Sequence, residues 1–346
     1  MITAMKLGSK ILFTNLGFFS PYELNFSITY KCNSRCRICN IWKKKPVNEL
    51  SLKEIEKMVK KIKFIHWVRL TGGEPFLRSD YVDIVKSFDK NFDIYLLTTP
   101  TNGLLTEIIF EKVKSVLKFF HSRYIISVSL DGPERIHDRI RRMSGCWKNA
   151  VSTFKKLKTL EKKYKNFKVY FGYTISPYNL GMFEKTVNEV KKAIPEITAD
   201  DFHVNLFQTS EIYYAINVPL KRLYFKKMIE ELDKILEMKK KKIKPIDLIE
   251  RKYLKLAKKY LKTRKMPLDC NIFNLSCFVD PYGNIYPCTV FNRKLGNLRD
   301  FDYDLKKILT SEKAKKVKEE IIQSKCPQCW TPCEAHQVIL SNWLKI

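Results

Sequence analysis

The stretch CNSRCRIC at residues 32–39 places Cys32, Cys36 and Cys39 within eight residues, in the spacing Cys-x3-Cys-x2-Cys. A loop this short can wrap one face of an iron–sulfur cubane and supply three thiolates to it. The next cysteine in the chain is Cys146, so the fourth iron has no ligand nearby in the sequence. An open position of this kind is typical of metal sites that bind substrate. The alternatives are a zinc knuckle or unrelated thiols, although a zinc site usually adds a second Cys-x2-Cys element or histidines.

Apolar runs alternate with segments of helical periodicity up to about residue 210, which predicts repeated βα units and a parallel sheet. The capping-box sequence Ser51–Glu54 opens the first helix, which carries Ile55, Val59 and Ile62 on one face. The predicted strands cover residues 24–30, 67–70, 93–98, 123–130, 168–175 and 202–207. The later predicted helices cover residues 79–90, 105–117, 147–164 and 182–193.

Six βα units predict an α/β fold in which the sheet curls toward a barrel that stays open on one side. Parallel strands need crossover connections, and right-handed crossovers curl the sheet in this way. In barrels of this kind, the chemistry takes place at the C-terminal ends of the strands. The cysteine loop follows the first predicted strand, Gly72–Glu74 follows the second, and Asp131 follows the fourth. We therefore expect these three segments to meet at one rim of the barrel.

The second predicted strand leads into Thr71-Gly72-Gly73-Glu74-Pro75. With the cysteine loop, this segment resembles the Gly-Gly-Glu segment of radical S-adenosylmethionine (SAM) enzymes. The resemblance implies that Gly72, Gly73 and Glu74 contact SAM, whose amino and carboxylate groups chelate the open iron of a [4Fe-4S] cluster held by Cys32, Cys36 and Cys39. It implies cleavage of SAM to methionine and a 5′-deoxyadenosyl radical that abstracts a substrate hydrogen. It also implies a partial (β/α)6 TIM-like barrel.

Three later segments resemble further SAM contacts of this family. Asn102 lies in a Thr-Asn-Gly segment after the third strand, Ser129 and Asp131 lie at the end of the fourth, and Arg141 ends the stretch HDRIR. The resemblance implies that Ser129 and Asp131 face the ribose or methionine part of SAM. It implies that Arg141 meets the SAM carboxylate, which suits the fork of guanidinium donors. Ordinary turn chemistry is the alternative for the Asn-Gly and Asp-Gly pairs. Ile38 departs from the family, where an aromatic residue often precedes the third cysteine.

A second group of six cysteines lies in the last third of the chain. The turn sequence Asp-Pro-Tyr-Gly at residues 280–283, between apolar runs, predicts a β-hairpin that holds two of them on neighbouring strands. Residues 302–323 have a mostly helical pattern. The six cysteines are Cys270, Cys277, Cys288, Cys326, Cys329 and Cys333.

This region resembles the auxiliary iron–sulfur domains of many radical SAM enzymes, called SPASM and, in a shorter form, twitch. Their opening, a cysteine, a spacer and Gly-x4-Cys, is matched by Cys270, Gly283 and Cys288, and the Cys-x2-Cys closure by Cys326 and Cys329. The longer form usually holds two clusters and has more cysteines after this point. The resemblance therefore implies one auxiliary [4Fe-4S] cluster on Cys270, Cys288, Cys326 and Cys329, with Cys277 and Cys333 as alternative ligands. A structural zinc is the alternative reading, and Cys146 is expected to be a small buried apolar residue.

Composition adds limits of its own. The chain has 346 residues, 45% of them hydrophobic, which allows one large domain and a smaller one. No apolar run reaches the ~18 residues of a membrane span, no signal peptide is evident, and ten cysteines without an export signal favour metal binding. We therefore expect a cytoplasmic protein. The net charge of +29 is consistent with an anionic partner. Alternatively, it reflects a lysine-rich composition like that of heat-adapted proteins.

We expect four parts: an N-terminal extension at 1–23, the barrel at 24–218, a basic helical connector at 219–265 and the auxiliary-cluster domain at 266–346. The lysines of the connector are expected to form a solvated surface rather than a nucleic-acid site. Tyr213, Tyr214 and His203 are expected near the open side of the barrel, as packed residues more than as catalysts.

The resemblance implies an oxidoreductase or maturase that uses SAM and receives electrons from a donor such as a ferredoxin or flavodoxin. Its unknown substrate is expected to be a peptide or protein, or another anionic molecule. Modification of RNA or of lipid is an alternative, as is a non-catalytic iron–sulfur carrier. No catalytic side chain is identified from the sequence.

Overall fold

The sheet of this protein has nine strands in the computed structural model, which describes residues 2–16, 21–62, 65–217, 220–240 and 245–345. The strands are β1 (Glu23–Thr29), β2 (Trp67–Gly72), β3 (Leu96–Thr101), β4 (Arg123–Ser129), β5 (Phe167–Ile175), β6 (Phe202–Leu206), β7 (Ser276–Val279), β8 (Asn284–Tyr286) and β9 (Gly296–Asn297). Their order across the sheet is β6-β5-β4-β3-β2-β1-β7-β8-β9.

Thirteen α-helices accompany the sheet within the same residues. They are α1 (Ile2–Asn15), α2 (Leu52–Lys61), α3 (Tyr81–Asn91), α4 (Thr106–Leu117), α5 (Glu134–Arg141), α6 (Cys146–Lys163), α7 (Phe183–Ala193), α8 (Phe225–Met238), α9 (Pro245–Thr263), α10 (Ile272–Leu275), α11 (Leu305–Leu309), α12 (Glu312–Ile322) and α13 (Pro332–Ser341). None of them is both long enough and apolar enough to cross a bilayer.

Strands β1 to β6 are parallel, and each pairs with its neighbour in sequence. At least one helix follows each of the first five strands, because a parallel pair cannot be joined by a tight turn. The predicted α/β fold with a partial (β/α)6 barrel is confirmed. The predicted capping box is also present, since the side chains and backbones of Ser51 and Glu54 bond reciprocally at the start of α2.

The two faces of the barrel strands differ in polarity. Along β1, Leu24, Phe26 and Ile28 alternate with polar residues and belong to the large apolar core beneath the helices. Glu23 and Asn25 lie on the opposite face and are also fully buried. Side chains of a strand alternate between its faces, so this second face lines the lumen. Strand β1 therefore presents polar side chains to the lumen.

The C-terminal region continues the sheet rather than forming a separate layer. β7 pairs parallel with β1, in a register that sets Glu23 opposite Ser276 and Leu24 opposite Cys277. The predicted hairpin is confirmed, because β7 and β8 pair antiparallel across the turn. The Asp280 carboxylate accepts hydrogen bonds from the backbone of Tyr282 and Asn284, both at 2.9 Å, and so holds this turn. Cys277 lies within β7, whereas Cys288 lies just beyond β8.

Helices α9 and α13 contact each other beside β6. Trp330, just before α13, is fully buried and donates from Nε1 to the carbonyl of Tyr253 on α9 at 3.0 Å. The hydroxyl of Tyr253 accepts from the backbone of Leu206 in β6 at 3.1 Å. These bonds hold the C-terminal helix against the edge of the barrel that the six strands leave open.

Candidate functional site

The barrel lumen contains a cavity of about 310 Å³ that extends from Trp67 and Leu96, at the N-terminal ends of β2 and β3, to the cysteine loop at the C-terminal ends of the strands. The sequence-predicted site residues in its wall are Cys32, Cys36, Cys39, Gly72, Gly73, Asn102, Ser129, Arg141 and Cys333. Five segments far apart in sequence thus meet at one rim, as the parallel strand order requires. Tyr213, Tyr214 and His203 also line this cavity.

The cysteine loop is fixed by backbone bonds to two other loops. Arg37 donates its backbone N–H to the carbonyl of Ile140 at 2.8 Å, and Asn40 donates to the carbonyl of Tyr214 at 2.8 Å. Ile38 packs against Ile140 and Phe207 in a small apolar cluster that includes Cys36. The aliphatic residue at this position is therefore buried against side chains of the protein.

The electrostatics of the loop fit a cationic group. Burial raises the pKa of Cys32 to about 11 and that of Cys39 to about 12, and the neighbouring Cys36 adds to both shifts. Thiolates in this place therefore need a positive partner, which the iron of a cluster supplies. Among the described residues, no three His, Cys, Asp or Glu side chains converge closely enough for a single metal ion.

Two glycines let β2 approach the cysteine loop. A Cβ on Gly72, whose φ is +146°, would lie 2.3 Å from the carbonyl oxygen of Thr29, and one on Gly73 would lie 2.3 Å from that of Lys31. The backbone N–H groups of Gly73 and Glu74 donate to the same two carbonyls at 2.7 and 2.8 Å. The Gly-Gly turn and the start of the loop are therefore joined by their backbones.

Glu74 is fully buried, and its carboxylate bonds within the protein. It accepts from the backbone of Asn102 at 2.7 Å, from the hydroxyl of Thr101 at 2.9 Å and from the backbone of Phe76 at 3.3 Å. Burial raises the pKa of Glu74 to about 7, against the lowering effect of these bonds. The carboxylate thus connects the ends of β2 and β3 beneath the cavity wall.

Asn102 connects the end of β3 to the cysteine loop. Its side-chain amide donates to Oδ1 of Asn33 at 2.7 Å, while its own Oδ1 accepts from the backbone of Leu104 at 3.0 Å. Ser129, at the end of β4, faces the cavity with Asn102. Both predicted residues therefore lie where a ligand beside the cysteine loop would contact them.

Arg141 lies in the cavity wall and is held by a buried ion pair with Asp131. The other oxygen of Asp131 accepts from the backbone of Thr174 at 2.9 Å. Nη1 of Arg141 donates to Sγ of Cys36 at 3.4 Å. Asp131 is fully buried, and it acts on the cavity by orienting the guanidinium.

A second, smaller cavity of about 20 Å³ lies in the C-terminal region. Cys270, Cys288, Cys326 and Cys329 all line it, which is the set expected from the sequence to hold one auxiliary cluster. Cys277 and Cys333 are not in its wall. Cys277 is buried in β7, where burial and then Glu23 raise its pKa to about 12, and Cys333 lines the barrel cavity instead.

Several residues of the cavity wall were not singled out from the sequence. Arg69 on β2 lines the cavity and pairs with the buried Glu23 at 3.2 Å. Burial raises the pKa of Glu23 to about 7, although Arg69 lowers it. His336 on α13 lies in the same wall. Arg69 could have been found from the alternation in β2, which places it on the same face as Thr71.

Two family models match the chain. The model of the radical SAM superfamily matches residues 26–190, and that of the SPASM iron–sulfur cluster-binding domain matches residues 270–333. The first contains Cys32, Cys36, Cys39 and the Gly-Gly-Glu turn. The second contains all four cysteines of the smaller cavity.

Individual relatives are more distant. The chain is 22% identical over 323 residues to the antilisterial bacteriocin subtilosin biosynthesis protein AlbA of Bacillus subtilis. The matched region covers 90% of this chain and 66% of AlbA. It is also 34% identical over 125 residues to the GTP 3′,8-cyclase of Alkaliphilus metalliredigens. This match covers 34% of this chain and 38% of that enzyme. The matched part of the chain thus spans about two thirds or less of these relatives.

Solved structures share the fold. Streptococcus suis SuiB bound to S-adenosylmethionine superposes with a TM-score of 0.60 at 15% identity, covering 95% of this chain and 75% of SuiB. The protein anSMEcpe with bound AdoMet superposes with a TM-score of 0.55 at 19% identity, covering 94% of this chain and 98% of that one. SuiB has also been solved with the precursor peptide SuiA.

These matches confirm the cofactor types expected from the sequence: a [4Fe-4S] cluster with SAM in the barrel and iron–sulfur in the C-terminal domain. The thiols that line the two cavities fit that pair of sites. The chain carries a radical SAM domain at residues 26–190 and a C-terminal SPASM iron–sulfur cluster-binding domain at residues 270–333.

Proposed function

We propose that this protein cleaves SAM reductively at the cluster of Cys32, Cys36 and Cys39 and uses the resulting radical to abstract hydrogen from a substrate. The observation that carries the proposal is the single cavity lined by these three thiols, the Gly72-Gly73 turn and Arg141. When bound, a [4Fe-4S] cluster supplies the open iron and the electron for this chemistry. The chain binds and orients SAM and shields the radical from water.

In this proposal the Gly72-Gly73 turn presents its backbone to the amino end of SAM, and Asn102 and Ser129 face the nucleoside. Arg141 binds the SAM carboxylate, with Asp131 as the group that positions it. Glu74 holds the ends of β2 and β3 together and acts indirectly.

Replacing Arg141 by lysine is expected to weaken SAM binding. A lysine has one ammonium group and cannot bond Asp131 and a carboxylate with the fork of a guanidinium. Hydrogen bonds to charged groups contribute about 1.5–3 kcal/mol, so we expect SAM affinity to fall roughly tenfold or more. Equilibrium dialysis of reconstituted protein with labelled SAM measures this. Arg142→Lys is the matched control, because Arg142 is the next residue and is exposed; an equal loss in both variants would contradict the role of Arg141.

The proposed enzyme is tested directly by its product. Anaerobically reconstituted and reduced protein mixed with SAM should release 5′-deoxyadenosine, which chromatography with mass spectrometry detects. Intact clusters without any release would favour the alternative of a non-catalytic iron–sulfur carrier. Iron analysis should give about eight irons per chain if two four-iron clusters are bound.

We assign one auxiliary cluster to Cys270, Cys288, Cys326 and Cys329. Cys288→Ala should remove about four irons per chain, since a [4Fe-4S] cluster is held by four thiolates. Cys277→Ala is the matched control and should keep all the iron, because Cys277 lies outside the smaller cavity. The Cys288 variant should still release 5′-deoxyadenosine but lose the modified substrate. Equal iron in both variants would contradict the assignment.

The substrate that we propose is a peptide or protein segment. SuiB, with the same fold, has been solved with its precursor peptide SuiA, and AlbA is a bacteriocin biosynthesis protein. The wall of the cavity includes Ile246, Ile249 and Glu250 of α9 as well as the barrel rim. The net charge of +29 supports an anionic substrate and an acidic electron donor such as a ferredoxin or flavodoxin. RNA is the alternative, for which co-purified nucleic acid with a steep salt dependence would be the sign.

A further inference from the structure

A surface groove of about 370 Å³ lies between α5, the loop that follows β5 and the start of α8. The residues of its wall are a different set from those that line the barrel cavity, so the groove and the cavity are separate sites. Ile136 and Arg139 come from α5, Tyr178 comes from the loop, and Leu223 and Lys227 come from around the start of α8.

The groove lies directly behind the cysteine loop. Ile136 lines the groove and also packs against the small apolar cluster that includes Cys36. Arg37, within the loop, donates from Nε to the carbonyl of Arg139 at 3.1 Å, and Arg139 lines the groove as well. A single side chain, that of Ile136, therefore reaches from the groove to the apolar cluster around Cys36.

The charged residues in the wall of the groove, Arg139 and Lys227, are both basic and both exposed. Two neighbours in sequence at the start of α8, Arg222 and Lys226, are also basic and exposed, as is Arg37 in the cysteine loop. A surface with charge of one sign attracts a partner of the opposite sign and raises its rate of association. The groove therefore favours an acidic partner.

The two carboxylates of α5 are engaged on other contacts. Asp138 accepts from the backbone of Gly145 at 2.7 Å and from that of Trp147 at 2.9 Å. Glu134 pairs with Lys148 at 3.4 Å. The basic side chains at the groove are thus left to the solvent or to a partner.

Apolar side chains are exposed at the same place. Leu223 is 67% exposed and Tyr178 is 39% exposed, and both line the groove. An apolar centre with a charged rim is the usual composition of a protein–protein interface. Electron-transfer complexes use interfaces at the small end of the size range, so a groove of this extent is sufficient for one.

The proposed cleavage of SAM consumes one electron from outside the chain. The rate of electron transfer falls steeply with distance, so the donor must come close to the cysteine loop. In the proposed function SAM and the substrate occupy the barrel cavity, and the donor therefore needs another face of the loop. The groove behind Ile136 is such a face.

We propose that this groove and its basic rim dock an acidic ferredoxin, which reduces the cluster held by Cys32, Cys36 and Cys39. The inference rests on the proposed function, because it names the partner and the surface that supply the electron for SAM cleavage. The reduced ferredoxin loses one electron and the cluster gains it, and no covalent bond is made or broken in this step. Arg139 and Lys227 attract the acidic surface, and Leu223 and Tyr178 supply the apolar contact.

Charge reversal tests the docking surface without turnover. Reconstituted holoprotein carrying Arg139→Glu and Lys227→Glu should bind oxidised plant-type ferredoxin at least roughly tenfold more weakly than the unchanged protein, as measured by biolayer interferometry at low salt. The matched control is Lys255→Glu with Lys259→Glu, which makes the same change of net charge at exposed positions of α9. Both double variants should keep about eight irons per chain. Arg222→Glu with Lys227→Glu leaves the side chains of α5 unchanged and should reproduce the loss of binding.

Two reductants separate this inference from the proposed function. Dithionite is small and needs no docking surface, so the groove variant should release 5′-deoxyadenosine with dithionite as the unchanged protein does. Release driven by NADPH, ferredoxin reductase and ferredoxin should fall in the groove variant and persist in the α9 control. Absence of 5′-deoxyadenosine from the unchanged protein with dithionite contradicts the proposed function.

Three results would overturn the docking inference alone. The first is dithionite-driven release by an unchanged protein that binds no ferredoxin. The second is equal affinity for ferredoxin in the groove variant and the α9 control. The third is a dimer of the unchanged protein that Leu223→Asp separates in size-exclusion chromatography, because a second copy of the chain would then occupy the groove.

Discussion

Replacing Cys36 by alanine is expected to abolish the release of 5′-deoxyadenosine from SAM. Cys36 is the middle thiol of the loop, and it accepts a hydrogen bond from Nη1 of Arg141 at 3.4 Å and lies 3.1 Å from the hydroxyl of Ser34. With only Cys32 and Cys39 left, two irons of a cubane lack protein ligands, and SAM loses the metal it binds. Iron should fall from about eight to about four per chain, since the auxiliary set is untouched.

The measurements for this variant are iron analysis, electron paramagnetic resonance of the reduced protein and 5′-deoxyadenosine release. Cys146→Ala is the control, because Cys146 is equally a cysteine of the barrel but is fully buried at the start of α6. Truncating it to alanine removes one sulfur from the core, and it should leave both the iron content and SAM cleavage unchanged. Full product release from the Cys36 variant would remove the basis of the proposed function.

The strands of the barrel could be predicted because each is a short apolar run followed by a turn. The third strand shows where such a prediction is inaccurate. The apolar run predicts this strand at 93–98, whereas it lies at Leu96–Thr101, which includes Pro100. Proline lacks the N–H that a central strand needs. Pro100 is tolerated because β3 pairs with β2 only as far as Thr98, while its pairing with β4 continues to Thr101.

The sequence does not predict helices α1, α5, α10 and α13. α5 is eight residues long and highly charged, and its order depends on tertiary burial, since Ile140 and His137 within it are fully buried. α13 carries usable signals, because Pro332 stands at its first position and the hydroxyl of Thr331 bonds the carboxylate of Glu334. Those signals lie within a run of cysteines, where metal binding was the stronger expectation.

The positions of the cysteines could be predicted only where ligands are close in sequence. The short spacing of the Cys-x3-Cys-x2-Cys loop keeps its three cysteines close together, and all three line one cavity. The tertiary structure decides where each of the six C-terminal cysteines lies. Strand β7 adds to the edge of the barrel beside β1 and buries Cys277, whereas α13 places Cys333 in the wall of the barrel cavity. No local spacing encodes a parallel pairing between strands about 250 residues apart.

Replacing Gly73 by alanine is the second change with a large expected effect. The added Cβ would lie 2.3 Å from the carbonyl oxygen of Lys31 and 2.7 Å from that of Tyr30. Both are backbone atoms at the start of the cysteine loop, so no side chain can rotate away and the two loops must separate. Overpacking of this kind lowers the free energy of unfolding by about 1–3 kcal/mol. The separation would also break the bond from Gly73 to Thr29.

Because the clash lies between the SAM turn and the cysteine loop, we expect Gly73→Ala to lose SAM cleavage even where the protein stays folded. Urea unfolding and 5′-deoxyadenosine release measure the two effects separately. Gly8→Ala is the control: Gly8 lies in α1 with nothing within 4 Å of an added Cβ, and alanine there favours the helix. A Gly73 variant with unchanged SAM affinity and turnover would show that the turn does not contact SAM. Loss of turnover with the auxiliary iron retained would place the damage at the cysteine loop, where the backbone contact predicts it.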